Sequence, residues 1–230
     1  MDRRLNQIFQ MIPKAGKGII DVGTDHGCIP IQLALHEYPG TLIASDIATG
    51  PLNTAREAAK RAGVASRIEF IQCDGLSLCE PDQIDCIVIA GMGGDTICSI
   101  LDQAEWLFSE EYYLVLQPMT RAEVLRYWLV HNDYKIVREA VICDSPHVYQ
   151  IFCAAPGKSS SYTDVEYLIG DMSMKREGDS IDELIVQQRI MLGKKLRGLV
   201  NTEIETPTAL FYKNIKNQLE QFRTNTCALL

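Results

Sequence analysis

Apolar and polar positions alternate along the first two thirds of the chain in a way that is typical of strands connected by helices. Short apolar runs predict seven strands, which are GIIDV, TLIASD, IEFIQC, DCIVIAG, YYLVLQP, YKIVREAVICD and VYQIFCAA. Helical spacing of apolar residues predicts helices over residues 27–37, 51–63, 94–106 and 120–131. This order predicts a mostly parallel sheet with helices on both faces. Only SPH separates the last two runs, which favours an antiparallel hairpin at one sheet edge.

Both ends of the chain show helical patterns without strands. The first residues predict an amphipathic helix with Leu5, Ile8, Phe9 and Ile12 on one face, and they lack the features of a secretory signal. After the polar stretch APGKSSSY, apolar residues recur at helical spacing over 180–200 and again over 207–222. We therefore predict a domain of residues 1–157 and a helical domain of residues 158–230, built as a hairpin of two antiparallel helices.

Composition excludes several classes of protein. The chain has 230 residues and is 47% hydrophobic, without an apolar stretch of the roughly 18 residues that a membrane span requires. Its eight cysteines form no CxxC pair, and several fall inside apolar runs. We expect reduced thiols in a cytoplasmic protein, and neither a disulfide framework nor a metal site.

The net charge of −8 is uneven. Residues 1–157 carry 12 Lys and Arg against 20 Asp and Glu, whereas residues 158–230 carry 10 of each kind. A nucleic-acid partner would therefore need a local basic surface.

The loop DVGTDHG follows the first predicted strand, where many α/β proteins bind nucleotides. Asp25 occupies the middle glycine position of a GxGxxG pattern, so a pyrophosphate would meet a carboxylate there. A ligand with a positive centre and no phosphate suits the loop better, because nearby opposite charges favour binding. S-adenosylmethionine has this character, since it carries a sulfonium and an ammonium group.

Three further loops, SDIATGP, CDGLS and IAGMGGD, should meet the first at the carboxyl ends of the strands. Asp46 is expected to accept hydrogen bonds from both ribose hydroxyls, and Asp74 from the adenine amino group. An acid at a strand end can equally cap the next helix. Acids at successive strand ends favour the cofactor interpretation, with a predicted binding set of Asp21, Gly23, Asp25, Gly27, Asp46, Ile47, Asp74, Gly75, Ala90 and Gly91.

The segments DVGTDHGCIP, SDIATGPLNTA, CDGLSL, IAGMGG and LQPMTRAEVLRYWL together resemble the bacterial tRNA (adenine-22 N1) methyltransferases. The resemblance covers nearly the whole chain. It implies a Rossmann-like class I methyltransferase domain with a C-terminal coiled-coil-like helical domain, S-adenosylmethionine as cofactor, no metal, and tRNA as partner. One departure is visible: the family resemblance leads us to expect an aromatic residue at position 28, usually Tyr, and this chain has Cys28.

Adenine N1 has an available lone pair at neutral pH, so the implied reaction depends mainly on alignment of the reacting atoms. Asp25 or His26 could offset the growing positive charge or accept a late proton, although a histidine here can also be structural. The IAGMGG loop offers backbone groups and the side chain of Met92. Its glycines can equally serve a tight turn. The predicted catalytic set is Asp25, His26 and Met92.

Basic residues give the predicted RNA-binding set, although an exposed Lys or Arg is often only a solvated surface residue. The set is Arg3, Arg4, Arg121, Arg126, Lys194, Lys195 and Arg197. The cluster GKKLRG is the strongest candidate, because three charges within four residues cannot all face a partner helix. Trp106 and Trp128 are expected in the core.

Two other functions stay open at this point. The chain could methylate another RNA, a small molecule or a protein. It could also be a non-catalytic RNA-binding protein that keeps a relic cofactor fold. Intact acids in the loops disfavour the relic, and the helical tail disfavours a small-molecule enzyme.

Overall fold

The computed structural model describes most of the chain. The described residues are 2–108, 112–159, 161–174, 176–178, 180–199 and 207–226. The predicted connection NTEIETP and Cys227 fall largely or wholly outside these ranges, and the side chain of Phe222 is likewise not described.

A seven-stranded sheet organises the described part of the chain. In chain order the strands are β1 Gly18–Val22, β2 Thr41–Asp46, β3 Glu69–Gln72, β4 Cys86–Gly93, β5 Tyr113–Thr120, β6 Tyr134–Asp144 and β7 His147–Pro156. They lie in the order β3-β2-β1-β4-β5-β7-β6. The first five are parallel, and β7 is antiparallel to both β5 and β6. The predicted parallel sheet with an antiparallel edge hairpin is therefore confirmed.

Five helices accompany the sheet. They are α1 Arg3–Met11, α2 Cys28–Leu35, α3 Thr49–Arg61, α4 Gly94–Asp102 and α5 Ala122–His131. Each agrees with a predicted helix, but the helix predicted over 94–106 ends at Asp102, and a 3-10 turn follows at Glu105–Phe108. Trp128 is buried and Trp106 packs against the same core, as expected.

Alternate residues of the strands face two separate apolar cores, as the period of a strand requires. Ile20 and Ile87 belong to the core under α4 and α5, whereas Ile19 and Val88 belong to the core under α1, α2 and α3. The sheet is thus covered on both faces, and the carboxyl ends of its parallel strands remain at one edge.

The C-terminal part contains α6 Asp164–Ile169, α7 Ile181–Leu199 and α8 Pro207–Thr226. The two long helices run antiparallel, because Arg189 pairs with Glu220 at 3.0 Å while Lys195 lies 5.2 Å from the ring of Tyr212. The helix α6 was not among the predicted helices, although Thr163 and Glu166 form a capping box at its start.

Contacts cross the predicted boundary after Gly157. Val141 of β6 belongs to the same apolar cluster as residues of α6, α7 and α8. Arg138 of β6 also pairs with Glu177 at 2.6 Å. The division into two domains stays a prediction, and the helical part is packed on the hairpin edge of the sheet.

The assignment of Arg126 to RNA binding was wrong. Its side chain is fully buried, forms an ion pair with Glu139, and lies 4.3 Å from the ring of Phe152. Its guanidinium also donates to the carbonyl oxygens of Tyr167 and Leu168 in α6. Arg126 therefore joins α5 to the hairpin and to the C-terminal helices.

Replacement of Arg126 by Met should lower the free energy of unfolding by roughly 3 kcal/mol, because it removes one partner of a buried ion pair. Urea denaturation followed by circular dichroism measures this. The variant Arg126→Lys, which keeps a positive charge, should lose less stability; Glu139 is left in place because it also pairs with Arg176 at 3.2 Å. A loss below about 1 kcal/mol in Arg126→Met would contradict a structural role.

Candidate active site

The loop after β1 is held against β2 by its backbone. The amide groups of Gly23 and Thr24 both donate to the carbonyl oxygen of Ser45, at 2.8 and 2.9 Å. Gly23, Asp25 and Gly27 have positive φ angles of 70°, 50° and 67°. Asp25 is thus a non-glycine residue in a left-handed conformation, which is uncommon for residues with a side chain although Asp adopts it more readily than most.

Asp21 lies beneath this loop and is nearly inaccessible to water, with 6% of its surface exposed. Burial raises the pKa of its carboxyl group to about 7; the hydrogen bond from Thr24 opposes this shift, and the nearby Asp46 adds to it. Thr24 Oγ1 donates to Asp21 Oδ2 at 2.7 Å. The sequence analysis identified the acid but missed Thr24 as its partner.

A cavity of about 650 Å³ opens beside the loop. Asp25 and His26 lie on its wall, with His26 Nε2 3.4 Å from Asp25 Oδ2 and both side chains about two thirds exposed. Both groups can therefore reach a ligand in the cavity. The remaining lining includes Cys28, Ala90, Gly91, Met119 and Tyr149.

A second cavity, of about 380 Å³, holds the residues predicted to contact the nucleoside. Asp46, Ile47, Asp74 and Gly75 line it together. Asp46 Oδ1 accepts a hydrogen bond from the amide of Ala48 at 2.9 Å, so this acid shapes the turn before α3. A carboxylate has about four acceptor sites, so the turn leaves capacity for ligand hydroxyls.

Met92 stands between the two cavities. It lines both, as do Gly23 and Asp46. A β-carbon at Gly23 would clash with Cε of Met92, so the methionine side chain lies directly over this glycine. The two cavities are parts of one groove across the carboxyl ends of β1, β2 and β4.

The segment IAGMGG continues β4 to Gly93 instead of forming a simple turn, with register shifts at Met92 and Gly93. The segment is held in place by Gln117, a fully buried residue of β5 that the sequence analysis missed. Gln117 Oε1 accepts hydrogen bonds from Arg4 Nη1 at 2.6 Å and from the Gly91 amide at 3.2 Å. The Gly91 amide is thus already engaged by the protein.

The other predicted basic residues lie in two regions: three are in the sheet-containing part of the chain and three are on α7. Arg4 lines the larger cavity, Arg3 donates to the Cys143 carbonyl at 2.9 Å, and Arg121 pairs with Asp95 at 2.9 Å near the end of β5. The remaining three are exposed on α7, namely Lys194, Lys195 and Arg197. Within the described ranges, no group of three or more His, Cys, Asp or Glu residues could hold a metal ion.

The seven cysteines in the described part of the chain are unpaired. No helix among the described residues is both long and apolar enough to cross a membrane.

A mostly parallel sheet whose first three strands carry acids at or just beyond their carboxyl ends, with a glycine-containing loop over one groove, defines a Rossmann-like methyltransferase class of protein. A family model described as a methyltransferase domain matches residues 1–152, and the chain belongs to this family.

Individual relatives cover most of the chain. A tRNA (adenine(22)-N(1))-methyltransferase of Bacillus subtilis is 29% identical over 171 residues, which are 74% of this chain and 71% of the relative. A protein of the NADB-Rossmann superfamily from Streptococcus agalactiae has a TM-score of 0.81 at 27% identity and covers 96% of both chains. TrmK of M. capricolum, solved with S-adenosyl-homocysteine, has a TM-score of 0.79 at 24% identity, covering 96% of this chain and 97% of that one.

The raised pKa of Asp21 predicts a pH-dependent stability. Between its ordinary value of 3.8 and about 7, the folded protein binds more protons at Asp21 than the unfolded chain does. Stability should therefore fall as the pH rises through this window, by at most about 1.4 kcal/mol per pH unit. In Asp21→Asn this contribution should vanish, as measured by urea denaturation between about pH 4 and about pH 8.

The exposed Asp82, changed to Asn, provides the control, because it lies far from the groove in a 3-10 turn. Parallel pH profiles for the wild type and Asp21→Asn would contradict the raised pKa of Asp21.

Proposed function

We propose that this protein transfers a methyl group from S-adenosylmethionine to N1 of adenine 22 in tRNA. The observation that carries the proposal is the single groove, formed by the two cavities, in which acids from successive strand ends meet. The Bacillus subtilis relative, which bears the name of this activity, supports the choice of substrate.

The smaller cavity suits the nucleoside part of the cofactor. Asp46 would accept from the ribose hydroxyls, and Asp74 from the adenine amino group. Ile47 is 64% exposed and lines this cavity, so a flat ring placed there would cover an otherwise solvated apolar side chain. Asp21 lies toward the larger cavity, where it would be charged when it faces the ammonium group.

The larger cavity suits the target base. The cofactor supplies an electrophilic methyl group on a positively charged sulfur. With that group bound, the lone pair of adenine N1 would form the new bond to the methyl carbon as the carbon–sulfur bond breaks and S-adenosylhomocysteine leaves. The methylated base is a cation until a proton leaves its exocyclic amine. Asp25 can stabilise this charge, and Asp25 or His26 can accept the proton.

No step of this scheme requires a metal ion or a base that creates the nucleophile. Met92, which lies over Gly23 between the two cavities, would contact the ligands where they meet. The residues of this chain therefore act by alignment and by charge. The proposal places the enzyme in the cytoplasm, where its tRNA substrate is found.

The test of the proposal uses the full-length protein, labelled S-adenosylmethionine and two unmodified transcripts of one tRNA, with adenine or guanine at position 22. Digestion to nucleosides should give labelled 1-methyladenosine from the adenine transcript only. Label in both transcripts would move the target to another nucleotide. Label in protein or small molecules alone would overturn the proposal.

Replacement of Asp46 by Ala should weaken cofactor binding by at least tenfold, since each lost charge-assisted hydrogen bond is worth about 1.5–3 kcal/mol. Asp46→Asn keeps an oxygen acceptor for the Ala48 amide and should still bind weakly, which separates the ribose role from the turn. Calorimetric titration measures both variants. Wild-type affinity in Asp46→Asn would remove the carboxylate from the ribose site.

Replacement of Lys194, Lys195 and Arg197 together by Ala should weaken tRNA binding and flatten its salt dependence. Each lost phosphate contact releases about one fewer counterion. The matched control changes Lys14, Lys135 and Lys158, which are exposed elsewhere and carry the same total charge. Filter binding over a salt series measures both. Equal losses in the two triple variants would mean that only net charge matters.

A further inference from the structure

An enzyme that methylates a ring nitrogen of a base must take the base out of the nucleic-acid stack, and it commonly holds the base against aromatic side chains. Among the described residues that line the larger cavity, Tyr149 is the one Phe, Tyr or Trp side chain. Cys28 lines the same cavity, at the position where the family resemblance leads us to expect an aromatic ring. The aromatic side chain in this cavity therefore comes from β7 and not from α2, which carries Cys28.

We propose that Tyr149 is the stacking surface for the target adenine, in place of an aromatic side chain at position 28. This inference rests on the proposed function, and it assigns a residue of the antiparallel hairpin to substrate binding. Tyr149 was not among the residues predicted from the sequence, because it lies in a strand far along the chain from the glycine loops.

The surroundings of Tyr149 hold its ring in place. It belongs to β7 and pairs with Ile142 of β6, so its backbone is fixed by the sheet. The guanidinium of Arg4 lies 5.6 Å from the centre of the ring, within the range of a cation–π contact. Arg4 is itself held by Gln117, which also accepts from the Gly91 amide. The ring is therefore tied to the loop that carries Met92.

The role of the ring is to hold the base in place. Arg4 already puts a positive charge 5.6 Å from the centre of the Tyr149 ring, so the ring does not favour the cationic, methylated base over the neutral one. The thiol of Cys28 offers no flat face for stacking. Arg4 acts here as a positioning residue for the ring.

The test is a double-mutant cycle between the protein ring and the tRNA base. Binding of tRNA with adenine or with an abasic nucleotide at position 22 is measured for the wild type, Tyr149→Phe and Tyr149→Leu. The wild type and Tyr149→Phe should bind the adenine form about tenfold more tightly than the abasic form, since stacking on aromatic side chains is typically of this size. Tyr149→Leu should lose most of this preference.

Phe108→Leu is the control, because Phe108 is half exposed and is not among the residues lining the cavity. It should keep the wild-type ratio. Cofactor affinity and thermal midpoint should be unchanged in Tyr149→Leu, whereas its single-turnover methylation rate should fall at least tenfold. Conversely, Cys28→Tyr in the Tyr149→Leu background should restore part of the adenine preference.

Several results would overturn the inference. They are an adenine preference retained in Tyr149→Leu, a preference lost equally in Phe108→Leu, a loss of cofactor affinity in Tyr149→Leu, and no recovery with Cys28→Tyr. If the wild type methylates no tRNA, the proposed function fails and the inference fails with it. If the wild type and Tyr149→Leu both methylate adenine 22 at the same rate, the assignment of Tyr149 is overturned and the proposed function still holds.

Discussion

Two backbone hydrogen bonds hold the site together, from the amides of Gly23 and Thr24 to the carbonyl oxygen of Ser45. They close the loop after β1 onto the end of β2, and this closure requires left-handed conformations within the loop. Asp21 becomes buried as a result, while Asp25 and His26 point into the larger cavity. A β-carbon at Gly23 would meet Met92, so the same loop also sets the distance to β4.

The two acids of the loop, Asp21 and Asp25, differ in how far they are buried. Asp21 is shielded from water and has a raised pKa, whereas Asp25 is largely exposed. A buried carboxyl group is charged at little cost only when a positive ligand group faces it, which favours a cationic ligand over a phosphate. An exposed carboxylate pays no such cost and can respond to a charge that appears during the reaction. One loop thus presents a buried acid and an exposed acid to the same cavity.

Local patterns in the sequence were enough to predict the strands and the acidic loops, because apolar alternation and residue type at a strand end are local properties. β1, β2 and β6 begin and end where the apolar runs do. Arg126 was misassigned because its charge suggested a surface position, although helical spacing places it on the buried face with Ala122 and Leu129. Gln117 and Tyr149 could not be found in this way, since their roles depend on contacts between strands β5 and β7 and the N-terminal helix. Such contacts join residues that are distant in the chain.

The pairing of Arg4 with Gln117 spans 113 positions of the chain, and Arg3 reaches the carbonyl of Cys143 across 140. The first helix therefore packs against strands that the ribosome makes last within this part of the protein. A nascent chain that has emerged only as far as β4 already carries all the acidic loops, but it lacks Gln117 and Tyr149. The wall of the larger cavity closes only after β7 has been synthesised. The larger cavity therefore has its complete lining only in a chain that includes β7.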